Sequence, residues 1–209
     1  MGYVVGLEDA KSNGFKADSL GTMIRAGLPV PPGFVVTSEA HNFFLKFNKL
    51  DEKIPAVLES INIADPQELK EKSKTLEDAL LNSVVPDGIK RTIKDFYEGL
   101  LIGKEARLAG GAALDIIRAG RDSVYVSVRA SAGGFDQTKS GFAGQLRTYI
   151  NISGLEGVAE AVKRCWASMF TQRAIFYMKT FGIFPTINVV VQKMVDAEKA
   201  GAMLTADPV

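Results

Sequence analysis

The segment VYVSVRA at 124–130 alternates Val124, Val126 and Val128 with Tyr125, Ser127 and Arg129, the period-two pattern of a strand with one strongly apolar face. That pattern commits this part of the chain to a sheet with a buried side. The run SAGGFDQTKSGFAGQ follows, with four glycines, and then a second strand candidate at Leu146 to Ile152. Two strands therefore flank a glycine-bearing connection. Tyr3 to Val5, Phe34 to Val36 and the continuous apolar run Ile187 to Val191 are the other strand candidates.

Between these strands the apolar period changes to that of helices. Leu20, Met23 and Ile24 mark a helix from about Phe15 to Ala26, stopped by Gly27 and Pro29. After the extended run LPVPPGFVVT, Thr37 or Ser38 can cap a helix whose Ala40, Phe43, Phe44 and Phe47 fall at i, i+3, i+4 and i+7. Asp65, Pro66 and Glu68 form a capping arrangement for a helix lined by Leu69, Leu76 and Leu80. A partner helix restarts at Ile89, Ile93, Phe96, Tyr97 and Leu100, and a further helix is expected around Ala112 to Ala119. The spacing of Val158, Val162, Cys165, Trp166, Met169 and Phe170 predicts one long helix from about Leu155 to Phe181, ended by Gly182. Strands and helices together give an α+β architecture, with a helix-rich part over 1–122 and a strand-containing part over 123–209.

Composition narrows the function. The 25 Lys and Arg nearly cancel the 24 Asp and Glu, so no bulk field draws the chain to nucleic acid or an anionic membrane, and any anion site is local. No stretch approaches the roughly 20 apolar residues of a membrane span, and the N-terminus lacks a signal-peptide pattern. The single cysteine, Cys165, excludes an internal disulfide and a cysteine-built zinc site; the expectation is a reduced, cytoplasmic setting. His41, the only histidine, has no serine or carboxylate constellation to orient it and reads as a surface or capping residue.

Three segments suit a phosphate or a nucleotide. Lys16 follows Gly14 at a helix start, where free N–H groups and the helix dipole favour an anion; the local sequence also fits a solvated surface lysine. Arg129 ends a strand and precedes the loop from Gly133 to Gly144, whose backbone N–H groups could approach phosphate oxygens beside a bidentate guanidinium. A hairpin with Arg129 in an ordinary ion pair fits the same residues. At Gln192, Lys193, Met194 and Val195 a buried strand turns polar, which could expose backbone groups to an adenine edge and Met194 to its face, or do nothing beyond ending the strand. Walker-type and dinucleotide fingerprints are absent.

The succession GFKADSL, AGLPVPPGFVVT, VRASA, FAGQ, RCWASMFTQRAI, VQKMV and MLTADPV resembles, in order and over nearly the whole chain, the N-terminal domain of phosphoenolpyruvate synthases, pyruvate phosphate dikinases, rifampin phosphotransferases and plant glucan dikinases. The resemblance implies an ATP-grasp fold, two lobes around a nucleotide cleft and incomplete at the C-terminus. It matches Lys16 and Arg129 to phosphate-contacting residues that act in catalysis, Gly133 and Gly134 to the phosphate-covering loop, and Gln192 to Val195 to the adenine-receiving segment between the lobes. It further implies ATP with Mg2+ whose ligands lie beyond residue 209. The implied partners are a separate phosphohistidine domain and a pyruvate-binding domain, with the fragment alone not competent for turnover. Phe15 stands where the family has a second glycine, and Gly133 and Phe135 where its loop carries threonine and acidic residues; Asp136 keeps one acid. A dikinase for another acceptor, such as a rifamycin, and a non-catalytic nucleotide-responsive module fit the same segments.

Overall fold

The computed structural model describes residues 2–106, 124–133, 146–201 and 203, without the side chains of 101–106. Among them five strands, β1 (Val4–Gly6), β2 (Gly33–Val36), β3 (Val126–Gly133), β4 (Thr148–Ile152) and β5 (Thr186–Lys193), form one sheet in the order β1-β2-β5-β3-β4. Every neighbouring pair is antiparallel. The helices are α1 (Phe15–Arg25), α2 (Ser38–Phe47), α3 (Lys53–Ser60), α4 (Pro66–Leu81), α5 (Asp87–Ala106), α6 (Leu155–Ala167) and α7 (Gln172–Phe181). The expected helix at Ala112 to Ala119, Gly134 with the rest of its loop to Gly144, and most of the closing MLTADPV run lie outside the described residues. No helix among the described residues is long and apolar enough to cross a membrane.

Strand alternation gives the sheet two unlike faces. Phe34, Val36, Val126, Val128, Ala130, Ile187, Val189 and Val191 join Phe44, Leu76, Ile93 and Trp166 in the main core. On the other face Val35 and Val190 meet Ala17 of α1 with Leu7 and Ala10. Register then fixes what else lies on the α1 face: Arg129 pairs with Val190, Ser127 with Gln192 and Ser131 with Asn188, and residues directly opposite in a ladder project to the same side. A polar row on that face is thus a consequence of the valine alternation on the other.

The capping signals were sufficient where they were read. The Asp65 carboxylate accepts from the N–H groups of Gln67 and Glu68 at 2.9 and 3.2 Å, Pro66 opens α4, and Gly182 at φ 64° closes α7.

Four expectations require correction. The long helix from Leu155 to Phe181 is two helices joined by a short 3-10 turn at Ser168–Phe170. Side-chain hydroxyls make the break. Ser168 Oγ donates to Cys165 O at 2.7 Å and accepts from Arg147 N at 3.2 Å, and Thr171 Oγ1 accepts from Ala174 N at 3.3 Å as the cap of α7. Second, β3 does not stop near Ala130. It runs to Gly133, because β5 continues to pair with it up to Gly133 and Thr186, so Gly133 begins as ladder rather than loop. Third, α3 was not anticipated; its Pro55 sits in the first turn, where the missing N–H is tolerated. Fourth, α2 buries Ala40, His41 and Phe44, whereas Phe43 and Phe47 are 37% and 56% exposed. His41 is a core residue, its ring 5.5 Å from that of Trp166.

Candidate functional site

Lys16 stands in the first turn of α1. That helix is capped by Gly14 at φ 88° and ψ 156° without any side-chain hydrogen bond, a backbone region essentially reserved for glycine. A Cβ on Gly14 would lie 2.6 Å from Ala132 O and 2.8 Å from Ser131 Oγ, and one on Gly133 would lie 3.2 Å from the Gly14 Cα. The start of α1 and the end of β3 therefore touch backbone to backbone, and the small residues of the VRASA segment permit that contact. Gly14→Ala is expected to cost about 1–3 kcal/mol through backbone strain, with displacement of α1 from β3. A melting temperature equal to that of the unaltered chain would show that the loop relaxes without strain.

This contact sets the position of the Lys16 side chain. Its Nζ donates to Ala130 O at 2.9 Å, beside Arg129 on the same strand. Burial first, and then the charge of the Arg129 guanidinium, hold the Lys16 ammonium below the ordinary lysine range. Two cations are thus held together, and among the described residues no carboxylate forms an ion pair with either. Arg129 itself lies mid-ladder, opposite Val190 of β5 and Thr148 of β4, so its backbone is fixed on both sides. Burial and the Arg129 charge lower the Lys16 pKa, and neither cation has a carboxylate partner among the described residues, an arrangement suited to an anion, to which the positive end of α1 adds.

The adenine candidates lie at the far end of β5. Gln192 is buried, and its Nε2 donates to Pro31 O at 3.0 Å, so this side chain fastens the β2 approach instead of facing a ligand. Lys193 N donates to Pro32 O and Met194 N to Tyr125 O, each at 2.9 Å. An antiparallel pair of this kind normally exchanges two bonds. Pro32 has no N–H to return, which leaves the Lys193 carbonyl without its ladder donor. The double proline in PVPPG is a sequence signal for this gap that residue-by-residue reading passed over. Tyr125, Asn151, Lys193, Met194 and Val195 line a hollow of about 430 Å3 at this end of the sheet, and Leu28, Val30, Pro32 and Gly33 contribute to another of about 380 Å3.

From Val190, opposite Arg129, to Met194 is four residues of extended chain, roughly 14 Å, a span that an extended nucleoside triphosphate covers. Among the described residues no group of three His, Cys, Asp or Glu could hold a metal ion. The groups around the Lys16 turn are the Ser131 hydroxyl, the Asn13 amide and one carboxylate, Asp18, which already accepts from Asn13 N at 2.9 Å. A single engaged carboxylate does not fit Mg2+, which binds through carboxylates and phosphates. Cys165 is fully buried behind β3, and burial pushes its thiol up to about 12; it is inert packing.

The fold is a mixed α/antiparallel-β domain that holds two cations, Lys16 and Arg129, together at β3. The family model for the pyruvate phosphate dikinase AMP/ATP-binding domain matches residues 10–209, and the chain belongs to that family. It is 39% identical over 207 residues to a probable phosphoenolpyruvate synthase of Methanothermobacter thermautotrophicus, covering 98% of this chain and 28% of that protein. The phosphoenolpyruvate synthase of Aquifex aeolicus is 37% identical over 97% of this chain and 23% of its own length. That of Aeropyrum pernix is 38% identical over 94% of this chain and 23% of its own length. The chain spans about a quarter of the length of these relatives.

Proposed function

We propose that this chain is the ATP-binding part of a phosphoenolpyruvate synthase (pyruvate, water dikinase) type enzyme with an ATP-grasp fold, in which ATP phosphorylates a histidine on a separate domain for transfer to pyruvate. The observation that carries the proposal is the convergence of Lys16 and Arg129 at β3 without a carboxylate partner among the described residues. In this reading Lys16 and Arg129 hold the phosphates and neutralise charge that develops on the transferred group. The loop that starts at Gly133 and Gly134 covers them. At the other end the Lys193 carbonyl accepts from the exocyclic amine of adenine, the Val195 N–H donates to the ring nitrogen beside it, and Met194 packs on the base. Mg2+ is supplied from outside the described residues, and the working location is the cytoplasm.

This reading assigns the carrier histidine and the pyruvate site to separate domains, so residues 1–209 on their own are expected to bind ATP without turning it over. Calorimetric titration with ATP tests the site. Lys16→Ala should weaken binding by about 10- to 100-fold, the worth of a charge-assisted hydrogen bond. Binding that is absent in the unaltered chain, or equal in the Lys16→Ala variant, would remove the nucleotide reading.

A further inference from the structure

We infer that Asn188 is a positioning residue for the phosphate end of the site, acting on Lys16 through the loop that carries it; this rests on the reading of Lys16 given above. Asn188 is fully buried in β5, a strand whose neighbours Val189, Val190 and Val191 are also fully buried, and it lies on the α1 face opposite Ser131. Its Oδ1 accepts from two elements at once, Ser38 N at the start of α2 at 2.8 Å and Asn13 Nδ2 at 3.4 Å.

Asn13 is the other half of the device. Its backbone carbonyl accepts from Ser131 Oγ at 3.3 Å, and that hydroxyl in turn accepts from Ala17 N at 3.4 Å. The Asn13 N–H donates to Asp18 Oδ1 at 2.9 Å. Residues 13–18 are therefore bracketed to β5 by Asn188, to β3 by Ser131 and to themselves by Asp18. Lys16 lies inside the bracket.

Asn188 Nδ2 has no partner among the described residues although it is buried. An unpaired buried donor is costly, and an apolar residue of similar size would avoid that cost, as its valine neighbours do. What the asparagine contributes is the acceptor that joins the starts of α1 and α2. With that acceptor removed, Asn13 loses its hold on β5, and the first turn of α1 can swing the Lys16 ammonium off Ala130 O into water. Among the described residues the titratable groups that act on the Lys16 charge are Arg129 of β3 and Cys165 of α6, and burial keeps that thiol protonated.

Competitive acylation of Lys16 as a function of pH, read by mass spectrometry, reports this directly, with the exposed lysines of the same chain as internal reference. In the unaltered chain Lys16 should titrate below them. In Asn188→Ala and in Asn13→Ala its midpoint should rise to theirs, with ATP affinity reduced about tenfold and helical circular dichroism retained. Asn13 is part-exposed, so its variant folds even where Asn188→Ala does not, and it decides the matter. Normal ATP binding by the unaltered chain, together with an unmoved Lys16 midpoint and undiminished affinity in Asn13→Ala, overturns the role of Asn188 alone. Absence of ATP binding by the unaltered chain overturns the nucleotide reading on which that role rests.

Discussion

Replacing Arg129 with alanine, in a complete synthase that contains this domain, is expected to slow ATP-dependent phosphorylation of the carrier histidine by about 10²–10³-fold. That is the effect of losing one preorganised donor to a developing anion, about 2.7–4 kcal/mol. The expectation follows from how Arg129 is held. It sits in β3 with ladders on both sides, which fix its backbone, and its guanidinium has no ion-pair partner among the described residues to compete for it. On the proposed division of labour, exchange of label between pyruvate and phosphoenolpyruvate uses only the histidine and acceptor domains and should stay near normal. An arginine that merely anchors its strand would give the reverse pattern, a lowered melting temperature with an intact ATP step. With no ion-pair partner to lose among the described residues, the variant should melt close to the parent. Unimpaired histidine phosphorylation in folded Arg129→Ala would take Arg129 out of the mechanism.

Much of the scaffold was legible because the signals are local. The valine alternation from Val124 gives the inner face of β3, Asp65 with Pro66 gives the start of α4, and Gly182 gives the end of α7. The break at Ser168–Phe170 was not legible from apolar spacing, since Cys165 and Trp166 before it and Met169 and Phe170 within it all keep facing the core. The hydroxyls of Ser168 and Thr171 make the break through bonds to Cys165, Arg147 and Ala174, and of those Arg147 is distant in sequence.

For the site, Lys16 and Arg129 could be singled out as ions suited to phosphate, yet their meeting depends on Gly14 fitting against Ala132 and Gly133, a tertiary contact that neither segment announces. Gln192 was read only as part of a segment whose backbone can face adenine, and what its side chain does, donating to Pro31 O, has no signal in the local sequence. Asn188 was passed over because one polar residue in INVVVQ does not disturb an apolar run. Only the register, which sets it opposite Ser131 and beside Asn13, shows that it joins elements far apart in the chain. His41 was misplaced for a related reason: in a helix of 10 residues the apolar stripe through Phe43 and Phe47 competes with the one through Ala40 and Phe44. Trp166, from 125 positions further along, selects the second.

The buried imidazole of His41 gives the chain an acid sensitivity that should appear well above the range of its carboxylates. His41 is 6% exposed, its Nε2 has no partner among the described residues, and its neighbour Trp166 offers only an indole N–H that is likewise unpaired. Among the described residues no acceptor reaches that Nε2. Burial accordingly lowers the folded-state pKa from 6.5 to about 3, so the folded state binds its proton more weakly than the unfolded chain does. The stability this represents is complete above pH 6.5 and is lost as pH falls toward 3, about tenfold in the folding equilibrium per pH unit and on the order of 4–5 kcal/mol over the window. Glu77, raised by burial, works in the opposite direction, and the His41→Gln comparison separates the two. Urea unfolding at pH 7, 6 and 5 isolates the histidine, and the midpoint should drop between the last two. His41→Gln should flatten that profile even where its amide lowers stability at every pH. A parent protein with the same urea midpoint at pH 7 and pH 5 would mean that His41 takes up its proton in the folded state, and that the pocket over Trp166 opens to water without unfolding the domain.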